Sequence, residues 1–176
     1  MRFKLMFITL LGVLNMNKKE KLPFWTKLII FSLVPISQVV LYFASMKYFS
    51  NKQRLSMKNS LNMSTTQMNL FQGLLVVLFS LFSFGLMYFL SSSLLNFSAK
   101  KNSKALFISL VLALGATNSV SFLFVEFFRL VLPWVATVLQ TFLFVVSYYD
   151  LSDKDKVGSL LLLGLMLIFA VIPLVL

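Results

Sequence analysis

The sequence predicts an all-α fold, a polytopic membrane helix bundle with five transmembrane helices and the N-terminus inside. Three observations predict it. Of the 176 residues, 59% are apolar and only 12% charged, whereas soluble domains are about 45–50% apolar and about 25% charged. The apolar residues gather in runs close to 20 residues long, the length an α-helix needs to cross roughly 30 Å of hydrocarbon. The lysines, arginines and acids fall in the segments between those runs. Disorder is excluded, because it requires low hydrophobicity.

Residues 1–27 read as a cytoplasmic or interfacial segment ahead of a five-helix transmembrane domain, 28–176. Within the first part, Leu5–Leu14 is apolar but too short to span. It resembles the apolar stretch of a signal peptide, but Asn15-Met16-Asn17-Lys18 offers no small-residue cleavage site. Three readings stay open: an interfacial helix, an uncleaved signal, or an extended start with Met16 as the true first residue.

The first span, about 28–46, follows Pro23, Phe24 and Trp25. Proline suits the first helical turn, and the aromatics suit the membrane–water interface. Pro35 lies inside this span, where the missing N–H predicts a kink. The second span, about 70–95, is long enough to tilt or to run past the interface. The third covers about 105–125, the fourth 130–149 and the fifth 157–176. Pro133 opens the fourth, and Trp134, Tyr148 and Tyr149 mark its two ends.

The basic residues set the orientation. Of the 16 lysines and arginines, five (Lys47, Lys52, Arg54, Lys58 and Arg129) fall on the side away from the N-terminus. The other eleven share the N-terminal side, which is therefore the inside. The net charge of +11 then reads as topology and contact with anionic headgroups, with no nucleic-acid partner. Lys100, Lys101 and Lys104 form the inner basic cluster between the second and third spans. The first loop, Phe49–Gln67, puts three basic residues outside, against the trend. It is expected to lie as a surface turn on headgroups.

The inventory removes much chemistry. There is no Cys and no His, so no thiol nucleophile, no Ser-His-Asp triad and no zinc site of the usual kinds is expected. A Ser–Lys hydrolase would need a lysine at membrane depth beside Ser80, Ser83, Ser109, Ser119 or Ser121, and no apolar run contains one. Only five acids occur: Glu20, Glu126, Asp150, Asp153 and Asp155. The last three read as a solvated turn, without the glycine and terminal glutamate of a calcium loop. Glu126 and Arg129, three apart, read as a pair anchoring the outer hairpin. Methionines near the first loop (Met46, Met57, Met63, Met68) are spaced too irregularly for Cu(I) ligation. No phosphate-binding glycine motif is present. No catalytic residue, cofactor or metal is expected, and the chain reads as a non-enzyme.

What remains at depth is small or amidic. Ala105, Ser109, Ala113, Thr117 and Ser121 recur every fourth residue, on one face of the third span. Such a face lets another helix approach closely. Thr137 and Thr141 share that spacing on the fourth span, and only Glu126–Arg129 separates the two spans, so they are expected to pack antiparallel. Asn118 and Gln140 are placed at depths differing by roughly 4–5 Å, within side-chain hydrogen-bonding reach of each other. They form either a structural clamp or a polar lining for a solute. No internal inverted repeat of the transporter type is visible.

This layout resembles the Yip-type five-pass membrane family, including its bacterial branch. The resemblance covers about residues 18–176: a lysine-bearing N-terminal segment, one span, an outer loop, then four spans. It is closest over Leu90–Val120, where a long span ends in Ser91-Ser92-Ser93, followed by Lys100-Lys101 and the small-residue span. The resemblance implies a five-pass helical bundle. The acidic and Gly-Pro motifs of the eukaryotic branch, which go with trafficking and small-GTPase binding, are absent, so no functional residue carries over. The excess of Lys over Arg, with abundant Phe, Asn and Ser, suggests a low-GC bacterium. The expected function is that of an accessory or interaction protein of the bacterial cytoplasmic membrane, its partners being lipid, another membrane protein or a second copy. The alternatives are self-protection against a membrane-active bacteriocin or toxin, and a small transporter or channel subunit.

Overall fold

The computed structural model describes residues 23–49, 62–98 and 102–175, with side chains through residue 170 except that of Phe49. The N-terminal segment, most of the first loop, and Lys100 and Lys101 of the basic cluster lie outside the described residues. Among those described, the chain is helical without strands. Its helices are α1 (Phe24–Phe49), α2 (Thr65–Leu94), α3 (Ser103–Leu123), α4 (Pro133–Leu151) and α5 (Lys156–Val175). Leu95–Phe97 adds a 3₁₀ turn after α2, and Phe124–Phe128 a π-helical turn after α3.

Four helical segments are long and apolar enough to cross a membrane: Phe24–Tyr48, Thr65–Phe97, Ser103–Phe128 and Pro133–Leu151. The part of α5 with described side chains, Lys156–Ala170, is apolar but shorter than a span. Its backbone runs on as helix to Val175.

Local chemistry explains the boundaries. Helix α2 starts five residues before the expected 70, because Ser64 and Gln67 form a reciprocal capping box. The Gln67 N–H donates to Ser64 Oγ at 3.2 Å, and the Ser64 N–H to Gln67 Oε1 at 2.9 Å. Asn102 caps α3 by accepting from the N–H groups of Lys104 and Ala105. The fourth span is shorter than expected: Leu130–Leu132 lie outside the helix, which Pro133 opens at its first turn. Helix α1 runs through Pro35 as one helix.

Helix α3 is the centre of the bundle. It packs most extensively against α4, then against α1, and also touches α2, while α5 packs on α4 and on the end of α2. The antiparallel α3–α4 pairing expected from the short connection is therefore present. Consecutive helices alternate in direction, so the molecule has two ends. One carries Lys47, Tyr48, Glu126 and Arg129; the other carries Ser98, Asn102 and the α4–α5 turn around Asp155.

The core sits nearer the Asp155 end, around Leu106, Leu110, Phe144, Tyr148 and Leu162. Phe31, Phe84 and Phe107 knit α1, α2 and α3 together edge to face, with ring centroids 4.7 and 5.9 Å from Phe84. The outward surface is strongly apolar: Phe89 and Phe142 are each more than 60% exposed. A soluble monomer rarely carries such a surface, and a bilayer would cover it.

Candidate functional site

Towards the Arg129 end the helices line a half-open cavity of about 840 Å³. All four helices α1–α4 line it, over Val34–Ser45 of α1 and over Leu114–Val125 of α3 and the π-helical turn that follows it. At 1.5 Å per residue each stretch is roughly 16 Å long. The floor includes Phe84, whose ring also belongs to the aromatic cluster. The widened π-helical turn contributes Phe124 and Val125, whose carbonyls accept from the N–H groups of Leu130 and Arg129 respectively. Arg129 then reverses the chain in the left-handed region, φ 53°, which leads Leu130–Pro133 along the cavity mouth.

Among the described residues the wall carries amides and hydroxyls but no charged side chain: Gln38, Gln72, Asn118 and Gln140, with Ser80 and Thr117 among the hydroxyls. Two of these residues are almost fully buried and unsatisfied. Gln72 is 7% and Thr117 4% exposed, and neither Gln72 Oε1 nor Thr117 Oγ1 has a hydrogen-bond partner among the described residues. A buried polar atom without a partner costs about 1–3 kcal/mol, so these atoms are groups a ligand can satisfy.

Asn118 and Gln140 both line the cavity, yet they do not clamp each other. Asn118 Nδ2 donates to Ser37 Oγ on α1 at 3.0 Å, and Ser37 Oγ donates to the Val34 carbonyl. Helix α1 packs closer to that face of α3 than the depth argument could register. Gln140 is left at the cavity wall, half-buried.

The small-residue stripe is inside the bundle. Ala105, Ser109, Ala113 and Thr117 are buried, and Ser121 is half-buried at the cavity wall. Thr137 and Thr141 donate back to the carbonyls four residues earlier, Pro133 and Thr137, so neither hydroxyl bonds across to α3. Lys104, the described member of the basic cluster, is half-buried in the first turn of α3.

Two readings of charged residues are corrected. Glu126 takes partners on α1: Tyr48 Oη donates to Glu126 Oε2 at 3.0 Å, and Lys47 Nζ lies 3.6 Å from the same oxygen. Arg129 faces the Tyr48 ring, 5.6 Å from its centroid. The π-helical turn and the left-handed Arg129 place the two residues off the regular helical spacing that would have paired them.

Asp150 and Asp153 are exposed as expected, but Asp155 is buried, 4% exposed. It accepts from Ser98 Oγ at 2.7 Å, from Tyr148 Oη at 3.3 Å and from the Gly158 N–H at 3.0 Å. The reason is the turn: Asp153 and Lys154 both take positive φ, which swings Asp155 under the bundle as the cap of α5. Gly158 is required there, since a Cβ would overlap Asp155 Oδ2 and come within 2.9 Å of Leu95 Cδ2. The sequence carried a signal for this cap, an aspartate three residues before Gly158 at the start of an apolar run.

Compared with family models, curated proteins and solved structures, the chain matches none.

Proposed function

We propose that this chain is a five-pass, non-enzymatic protein of a bacterial cytoplasmic membrane, N-terminus inside, that acts by holding a small uncharged ligand in the α1–α4 cavity. The reading rests on one observation: a half-open space of about 840 Å³ that the described residues wall with amides and hydroxyls and no charge, two of the wall oxygens being buried and unpartnered among those residues. Ligand sites typically occupy about 300–1,000 Å³ and combine apolar walls with a few polar groups. The fifth pass is supported by α5, whose 20 residues extend roughly 30 Å. The orientation is supported by the excess of lysine on the N-terminal side, where anionic headgroups are natural partners.

A transporter or channel role shares this cavity but is less well supported. Conduction needs a route through the Asp155 end, where Leu106, Leu110, Phe144 and Tyr148 pack without exposure. Association with another membrane protein or a second copy would use the lipid-facing surface, because the small-residue stripe is taken up within the bundle.

Native mass spectrometry of the intact chain released from nanodiscs tests the reading. The wild type is expected to carry an adduct that Ser80→Phe, which fills the cavity, removes; a wild type free of adduct overturns it. The chain has no cysteine, so Ser64→Cys and Asp150→Cys test the orientation directly. Impermeant maleimide is expected to reach the first from outside the cell and the second only after the membrane is opened.

A further inference from the structure

We propose that the α1–α4 cavity takes an uncharged, hydroxyl-bearing lipid of the leaflet on the Arg129 side, its head against Gln72, Thr117 and Gln140 and its chains leaving between α2 and α4. This rests on the cavity being a binding site and adds the class of ligand. Three observations lead to it.

The first is size and depth. The cavity runs roughly 16 Å along α1 and α3 from the Arg129 end, which matches one leaflet, half of an about 30 Å hydrocarbon core.

The second is access. Helices α2 and α4 both line the cavity, but they are not among the helix pairs that pack substantively on each other. The gap between them is rimmed by Phe79, 68% exposed, and Val131, 50% exposed, apolar side chains suited to contact with acyl chains. A molecule already in the bilayer reaches the cavity through this gap without crossing water.

The third is chemistry. Among the described residues the wall has no cation for a phosphate and no anion for an ammonium group, and a lone charge at this depth is strongly disfavoured. The buried Thr117 Oγ1 and Gln72 Oε1 lack partners. An ionised phosphodiester brings acceptors only, so it cannot satisfy an amide oxygen. A hydroxyl both donates and accepts, and satisfies either oxygen.

The test uses the full chain in liposomes with diazirine-tagged lipids of identical acyl chains: diacylglycerol, its methyl ether, and phosphatidylcholine, whose phosphodiester headgroup carries no hydroxyl. Diacylglycerol is expected to label peptides spanning 72–87 and 114–125 about fivefold above the other two, the factor that one hydrogen bond of roughly 1 kcal/mol gives. Unlabelled diacylglycerol should compete and free glycerol should not. Gln72→Leu combined with Thr117→Val should bring diacylglycerol down to the ether's level, and Ser80→Trp should abolish labelling of the wall by every probe.

Equal labelling by the ether or by phosphatidylcholine overturns the hydroxyl-lipid assignment while leaving a binding cavity. Competition by free glycerol overturns the lipid source. Absence of wall labelling by any probe overturns both this inference and the reading on which it rests.

Discussion

The two ends of the bundle treat polar groups differently. At the Asp155 end Ser98, Tyr148 and the Gly158 N–H all donate to the buried carboxylate of Asp155, while Ser91, fully buried near the end of α2, keeps a hydroxyl without a partner among the described residues. At the Arg129 end the helices stand apart, and Gln72 and Thr117 keep buried oxygens unpartnered. The first pattern is what stability selects, because a satisfied network holds α2, α4 and α5 in one arrangement. The second carries a standing cost, which a structure retains where a ligand can offset it. What sets Gln72 and Thr117 apart from the equally unpartnered Ser91 is that they line the cavity.

Substitutions sharpen that contrast. The largest effect is expected from Asp155→Ala, which removes the cap of α5 and the carboxylate to which the Ser98 and Tyr148 hydroxyls donate. Loss of about 3 kcal/mol follows from the cap and the unsatisfied donors together, and Asp155→Asn should recover part of it. Unfolding of the chain in bicelles by a graded denaturant measures this; an Asp155→Ala protein as stable as the wild type would mean the network is ornamental. Phe144→Ala comes next, at about 2 kcal/mol. That is below the value for a soluble core, because lipid is as apolar as the interior and only lost packing counts. The same denaturation assay reads it, and a loss below about 0.5 kcal/mol would mean this end is not closely packed. The smallest effect has the opposite sign. Gln72→Leu should leave stability unchanged or raise it by up to about 1 kcal/mol, since it removes an unsatisfied buried oxygen. A clear destabilisation by Gln72→Leu would erase the distinction between the ends.

Much of the fold was legible from local pattern. Runs of hydrophobic residues located the helices, Pro133 marked the start of α4, and the four-residue spacing of Ala105, Ser109, Ala113 and Thr117 marked a face that is indeed buried. The candidate site was only half legible. Asn118 and Gln140 were visible as amides at depth and both line the cavity, but Gln72 was not singled out, because its run begins only two residues earlier and it read as the edge of a span. The partners of Glu126, Asn118 and Asp155 were not legible at all.

What the sequence determined by itself is therefore what depends on neighbours within a turn or two: helix content, membrane character, the short α3–α4 hairpin, and the lack of cysteine, histidine and deep charge. These follow from hydropathy and backbone hydrogen bonding, which act over a few residues. The tertiary structure decided the rest. Tyr48 meets Glu126 across 78 positions, Ser37 meets Asn118 across 81, and Ser98 meets Asp155 across 57. Such contacts depend on how helices lean against one another, and a helix with apolar residues on all sides does not record which of its faces a neighbour will take. The same freedom leaves α2 and α4 parted at the Arg129 end, and so opens the cavity that no stretch of the sequence displays.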